Sequence, residues 1–439
     1  MASKQTELNS YVKELIDRIG TSYELILDTY KMNEIDFKYL AEALKVNKTL
    51  KKLCFNECFS KKIDISELIS AIKENKTLEI LELRKSQLFT EDKKSLMDAI
   101  SESETLKELD ISLIGLSLES IKLLAEALQK NTSLITLILS YNEFDHNGIY
   151  FLSEALKKNK TLTTLNINGC SLSKDGAKFL AEALKVNKTL TTLHIEDCGL
   201  SKDGATFLAE AIKVNTSLTH LYIGYNDIDI SPFFEALQDN TTLISLSVYS
   251  TSVEDMTKIE KFFENNKTLK SINFHNIWMI PTSFFVKVLK LNVLKELYIG
   301  GNELTDEGLK SLAEALEVNT SLEILDIRFT VHDTSGFEGS KYLAEALKVN
   351  KSLKKLSFKY NKINVEVLAE ALLVNTSLEI LDIGGCNLIY EDEMYLPPLG
   401  TYNVSDSYVE FLAKALEKNT SLKKLYIEKC DITDNGANI

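Results

Sequence analysis

The chain has 439 residues, 64 of them acidic and 50 basic, for a net charge of −14 at neutral pH. That charge excludes nucleic acid as a partner unless a basic stripe interrupts it, and the lysines are scattered without forming one. No apolar run approaches the ~18 residues that cross a bilayer, so no membrane partner is expected, and four prolines with no Gly/Ser-rich linker leave nothing to divide the chain into ordinary domains.

In chain order, residues 1–21 lack the basic-then-apolar order of a secretory signal. Their helical spacing (Leu8, Val12, Leu15, Ile16, Ile19) predicts a cap over the first repeated unit of the chain. From residue 22 the text repeats. A degenerate copy holds Leu25, Leu27, Tyr30 and Met32. L-x-x-L-x-L then recurs from Leu50 through Leu78, Leu106, Leu134, Leu162, Leu190 and Leu218, every 28 residues. Leu243, Leu269, Leu294, Leu322, Leu353, Leu378 and Leu422 continue it at less regular steps.

Residues 187–214 show what one copy encodes. In TTLHIEDCGL the apolar Leu193, Ile195 and Leu200 sit among polar residues with the alternation of a short strand. In SKDGATFLAEAIKVN, Phe207, Leu208, Ala211 and Ile212 lie three or four apart, on one face of a helix. Asp203 suits the positive end of that helix. Asn215 is expected to stop it in the left-handed conformation, and Asn holds this position in 12 of the 14 copies. Alternating short strands and helices give parallel strands with helices on one side, and one copy can bury neither alone, so the copies must stack.

These letters, L-x-x-L-x-L-x-x-N/C-x-L with a helical second half, resemble the leucine-rich repeat of the ribonuclease-inhibitor-like subtype over residues 22–439. The resemblance implies a right-handed α/β horseshoe solenoid of about 14 repeats. The parallel sheet would line its concave side and the helices its convex side. It also implies protein binding and no catalysis. Two insertions break the rhythm, near 331–340 and 389–406. The final ITDNGANI reads as the start of a further helix.

Five of the six cysteines (Cys58, Cys170, Cys198, Cys386 and Cys430) stand at the N/C position, where Asn142, Asn226, Asn302 and Asn361 stand in other copies. Either residue can hydrogen-bond the neighbouring loop. The cysteines therefore read as buried structural thiols, suited to a reducing compartment, and their spacing matches no zinc motif. The Asn-x-Ser/Thr triplets, such as Asn187-Lys188-Thr189, read as helix stops rather than glycosylation sites. There is no Walker loop, no HExxH and no G-x-S-x-G, so no metal, cofactor or enzyme activity is expected.

On such strands the variable positions face the concavity. The early copies present charge (Lys52, Asn56, Glu82, Arg84, Glu108, Asp110). Later ones present Tyr141, His194, His220, Tyr222, Tyr225, Tyr249, Asn273, His275, Tyr298, Arg328, Phe329 and Tyr360. Tyrosine on an open face has no core to fill, and it buries a large area with few rotors. A partner protein is expected there and on Tyr390, Met394, Tyr395, Leu396 and Tyr402 of the second insertion. The expectation is therefore a monomeric, cytoplasmic, non-enzymatic scaffold. It would be an inhibitor, or an effector delivered by bacteria into a host cytosol. The alternative, by similarity of repeat type, is a GTPase-activating regulator of the Ran type, with Arg84 on its rim.

Overall fold

The computed structural model describes residues 19–20, 22–28, 33–58, 64–86, 88–142, 144–277, 280–329, 337–361, 363–385 and 406–428. The cap expected over 1–21, apart from Ile19 and Gly20, lies outside these residues. So do residues 331–336 and 389–405 of the two insertions, Cys386, Cys430 and the C-terminal ITDNGANI. The chain forms two compact units, Met1–Ile228 with Asp239–Leu243, and Asp229–Gln238 with Ile244–Ile439.

In the first unit eight strands follow one another: β1 Glu24–Asp28, β2 Lys52–Asn56, β3 Ile80–Arg84, β4 Glu108–Asp110, β5 Thr136–Ile138, β6 Thr164–Asn166, β7 Thr192–His194 and β8 His220–Tyr222. Each pairs in parallel with the next, and the register sets leucine on leucine, as Leu165 on Leu193 and Leu193 on Leu221. The second unit continues the scheme with β9 Ser245–Ser247, β10 Ser271–Asn273, β11 Glu296–Tyr298, β12 Ile324–Asp326, β13 Lys355–Ser357, β14 Ile380–Asp382 and β15 Lys424–Tyr426. Between successive strands runs a helix, as Lys174–Val186 and Lys202–Val214. The two layers bury the repeat's apolar letters against each other: Leu190, Leu193, Ile195, Leu208 and Ile212 are all 1% exposed or less.

The helices begin as the letters dictate. Ser173 and Ser201 cap the N-termini by accepting from Gly176 and Gly204 N–H. They end differently from the expectation. Asn215 has φ −73 and ψ 135, an extended conformation, and the other asparagines of the series agree. Left-handed tolerance is therefore not why Asn stands there.

The asparagine side chain is the reason. Asn187 Oδ1 accepts from Thr189 N–H (2.9 Å) and Leu190 N–H (2.7 Å), and its Nδ2 donates to Leu156 O of the preceding repeat (2.7 Å). Asn131, Asn159 and Asn215 repeat the pattern onto Ile100, Leu128 and Leu184. One side chain thus satisfies an orphan carbonyl at one helix end and two lead-in N–H groups of its own strand. It also occupies the amide a glycan would need, as a buried group, which explains these triplets structurally.

The N/C position works similarly. Asn142 donates to Ile111 O and Asn226 to Ile195 O, while Cys170 and Cys198 send their thiols to Leu139 O and Ile167 O. Burial pushes both thiols up to about 12, which leaves them unreactive donors.

Where the repeat shortens, the helices shorten to seven, ten and nine residues (Ser231–Leu237, Met256–Asn265, Thr282–Lys290). Phenylalanines fill the difference. Phe234, Phe262, Phe263, Phe274, Phe284 and Phe285 form a chain of tilted, edge-on and, for Phe234 on Phe274, stacked rings with centroids 5.0–6.4 Å apart. The first insertion is shorter than the sequence predicts, because residues 337–340 form the first turn of helix Phe337–Val349. No helix among the described residues is long and apolar enough to cross a membrane.

Candidate protein-binding surface

Among the described residues, the one just before each N/C position turns the chain out of its strand with positive φ. In the first unit these are Glu57, Lys85, Leu113, Tyr141, Gly169, Asp197 and Tyr225, and in the second Ser250, Asn276, Gly301, Phe329, Tyr360 and Gly385. The left-handed region costs a non-glycine residue about 1–2 kcal/mol. Tyr141, Tyr225, Phe329 and Tyr360 accept that cost with a bulky ring. They stand on the edge where strand becomes loop, whereas the sequence assigned them to the strand face.

Their rings lean along the edge. A Cβ on Gly169 would overlap the Tyr141 ring, and one on Gly385 would overlap the Tyr360 ring, so each ring lies where its neighbour has no side chain. Phe329 stacks on Tyr360 at 4.1 Å and 18°. Tyr141 and Tyr225 remain 51% and 58% exposed, so burial does not repay their backbone strain.

On the strand face of the first unit, His194 stacks flat on Tyr222 (4.1 Å, 4°). Its Nδ1 lies 3.5 Å from Glu196 Oε2, which also accepts from Asn168 Nδ2 (2.6 Å). Asn168 Oδ1 accepts from Glu196 N–H, and Asn166 accepts from Ser140 and from Asn168 N–H. His220 Nδ1 meets Thr219 Oγ1 at 2.9 Å. The sequence reading missed Asn166, Asn168 and Ser140. Their signal was polar side chains at the same strand positions of successive copies.

Nearer β1, the charged positions satisfy one another. Arg84 binds Asp110 (2.5 Å) and Glu82 (3.1 Å), while Lys52 bridges Glu24 and Glu82. Burial, with Glu82 nearby, raises the Glu108 carboxyl above its usual range.

In the second unit Arg328 grips Asp326 through Nε and Nη2. The hydrogen bond to Asp326 holds the guanidinium pKa above its ordinary value. His275 is largely buried, with Nε2 4.0 Å from Asp326 Oδ1 and no hydrogen bond on Nδ1. Burial lowers its pKa, the Arg328 charge adds to that, and Asp326 opposes it. Gly300 makes the packing fit, since a Cβ there would lie 2.6 Å from His275 Nε2 and 2.8 Å from Arg328 Cγ.

Asn273 Oδ1 accepts from His275 N–H, and Tyr298 Oη donates to Glu296. Tyr249 is half-buried in the turn after β9. The expected contact run is therefore divided between the units, with His194, His220, Tyr222 and Tyr225 in the first and Tyr249 to Tyr360 in the second. Tyr390, Met394, Tyr395, Leu396 and Tyr402 lie outside the described residues.

A family model described as Leucine Rich repeat matches residues 158–181, 186–209, 214–229, 290–313 and 418–437. Strands of both units fall within these stretches, as do the clasps of Asn159, Cys170, Asn187, Cys198, Asn215 and Asn226. Those stretches are leucine-rich repeats, and the alternating strands and helices are those of a leucine-rich-repeat solenoid. No curated protein matches it. Leucine-rich repeats are in general modules for protein–protein interaction, and fold alone fixes nothing narrower. What this chain adds to the repeat is a parallel sheet face with aromatics set on its edge.

Proposed function

We propose that the chain is a non-enzymatic scaffold that binds a partner protein on its strand face and strand-to-loop edge. The observation that carries this reading is the pair Tyr141 and Tyr225, each strained in the left-handed region and each more than half exposed. Neither strain nor exposure stabilises the fold, and both suit rigid aromatic anchors that desolvate on contact. The buried thiols of Cys170 and Cys198 fit work in a reducing compartment such as the cytosol.

An inhibitor, or an effector acting inside a host cell, would use this same surface. The GTPase-activating alternative gains no support from Arg84, whose guanidinium already serves Asp110 and Glu82.

The test is affinity capture from cytosolic lysate with wild type and the Tyr141→Ala/Tyr225→Ala double variant, both checked by circular dichroism. A partner kept by wild type and lost by the folded variant supports the reading. A set of captured proteins identical for both would remove the aromatic edge from the binding surface.

A further inference from the structure

Between residues 134–142, 162–170, 190–198 and 218–226, the strands β5 to β8 and their turns carry no lysine or arginine, in a chain with 50 basic residues. The formal charges on this stretch of face are Glu196 and Asp197. Glu196 is held in place by Asn168 and His194. Asp197 is exposed, stands at a left-handed turn, and makes no ion pair or side-chain hydrogen bond among the described residues.

Asp197 has an aromatic on each side. The Tyr141 ring lies over Gly169, one strand step away, and Tyr225 follows one step beyond. A strand step is about 4.8 Å. A cation seated on the Asp197 carboxylate would stand about one strand step from the ring over Gly169 and one step from Tyr225, the scale on which tyrosine faces attract cations.

The backbone N–H groups of these turns are already engaged. Tyr141 N–H donates to Asn168 O, Gly169 N–H to Glu196 O and Asp197 N–H to Gly224 O. The carboxylates and aromatic rings are therefore the side chains that set what this place recognises.

The geometry points to a basic segment of the partner protein as the occupant. One arginine or lysine sits on Asp197 beside Glu196, on the edge between Tyr141 and Tyr225. This rests on the scaffold reading and names the chemistry of what the scaffold holds. Lys174, at the start of the helix before β7, is occupied by Asp203 at 2.6 Å and does not compete for the site.

The test is fluorescence anisotropy of three labelled peptides of equal length on the full chain, in which a Gly-Ser sequence carries regularly spaced Arg, Glu or no charged residue. Wild type should bind the Arg peptide and neither of the others, and weaken several-fold when salt rises from about 50 to 300 mM. Asp197→Lys and Tyr141→Ala/Tyr225→Ala should each weaken it tenfold or more. Glu182→Lys makes the same change in net charge on an exposed helix position and should leave affinity within about twofold.

Equal losses for Asp197→Lys and Glu182→Lys would overturn the site in favour of bulk attraction to an acidic protein. No binding of the Arg peptide would also overturn it, while the scaffold reading would still be judged by its own capture experiment. Preference for the uncharged or Glu peptide, lost in the tyrosine variant, would overturn the cation assignment and leave the aromatic edge standing as a binding surface.

Discussion

Replacing Asn187 by Ala removes one of the clasps that join successive repeats. The side chain is 3% exposed and makes three hydrogen bonds to backbone groups. Its loss strands the Leu156 carbonyl and the Leu190 N–H away from water, and leaves the Thr189 N–H to the partly solvated edge. An unsatisfied buried group costs about 1–3 kcal/mol. Two such groups, partly relieved by water entering the vacated space, give an expected loss of about 3 kcal/mol.

Asn187→Asp keeps both acceptor bonds but turns an oxygen toward Leu156 O, so it should lose nearly as much. The converse test lies three repeats earlier in the series. Ser103 holds the same position, accepts from Leu106 N–H at 3.1 Å, and borders a small cavity lined by Ile72, Thr105 and Leu106. Ser103→Asn should fill that space and restore the clasp, for a gain of about 1 kcal/mol.

Urea unfolding by far-ultraviolet circular dichroism reads the total change. Because long repeat arrays depart from two-state behaviour, exchange of the Leu190 amide gives the local value. An Asn187→Ala protein within about 0.5 kcal/mol of wild type, the range of ordinary surface substitutions, would refute the clasp as a source of stability.

The lead-in residues form charge ladders, and Glu323 between Lys295 (2.8 Å) and Lys354 (2.6 Å) has its pKa lowered to about 2 by hydrogen bonds to both lysines. A depressed carboxylate stabilises above its unfolded value near 4.5 and loses that share as pH falls through about 2. Melting temperatures of wild type and Glu323→Gln should therefore differ at neutral pH and converge as the pH falls to about 2.

Gly169→Ala forces a Cβ into a left-handed turn and into the Tyr141 ring, and should cost about 1–2 kcal/mol in denaturant. Adding Tyr141→Ala should recover the steric share alone. His275, whose pKa burial lowers, should remain neutral to lower pH than an exposed histidine in an NMR titration, and its stabilising share should fade as pH drops below 6.5. A normal titration would mean the ring is hydrated.

The alternation of strands and helices was written in the repeated letters. Leucines at fixed spacing, serine caps and a recurrent Asn and Asn/Cys are local signals, and copying them along the chain fixes parallel, in-register stacking, because each copy's only available core is its neighbour. The sequence also offered contact candidates, on the argument that a tyrosine on an open sheet face has no core to fill.

Three things needed the tertiary structure. The asparagine's purpose is a bond to a carbonyl 31 residues earlier, which no local propensity encodes, so its extended backbone went unforeseen. The setting of Tyr141, Tyr225, Phe329 and Tyr360 on the edge follows from a left-handed turn, and beside Tyr141 and Tyr360 a glycine leaves room for the ring. The fate of the charges was decided by which strand lies beside which. Arg84 and Arg328 are held by carboxylates of their own sheet, while Asp197, between neighbours with no cation to offer, is left facing out. Periodicity fixes where a side chain sits along its own strand, and only packing fixes what it meets across the next.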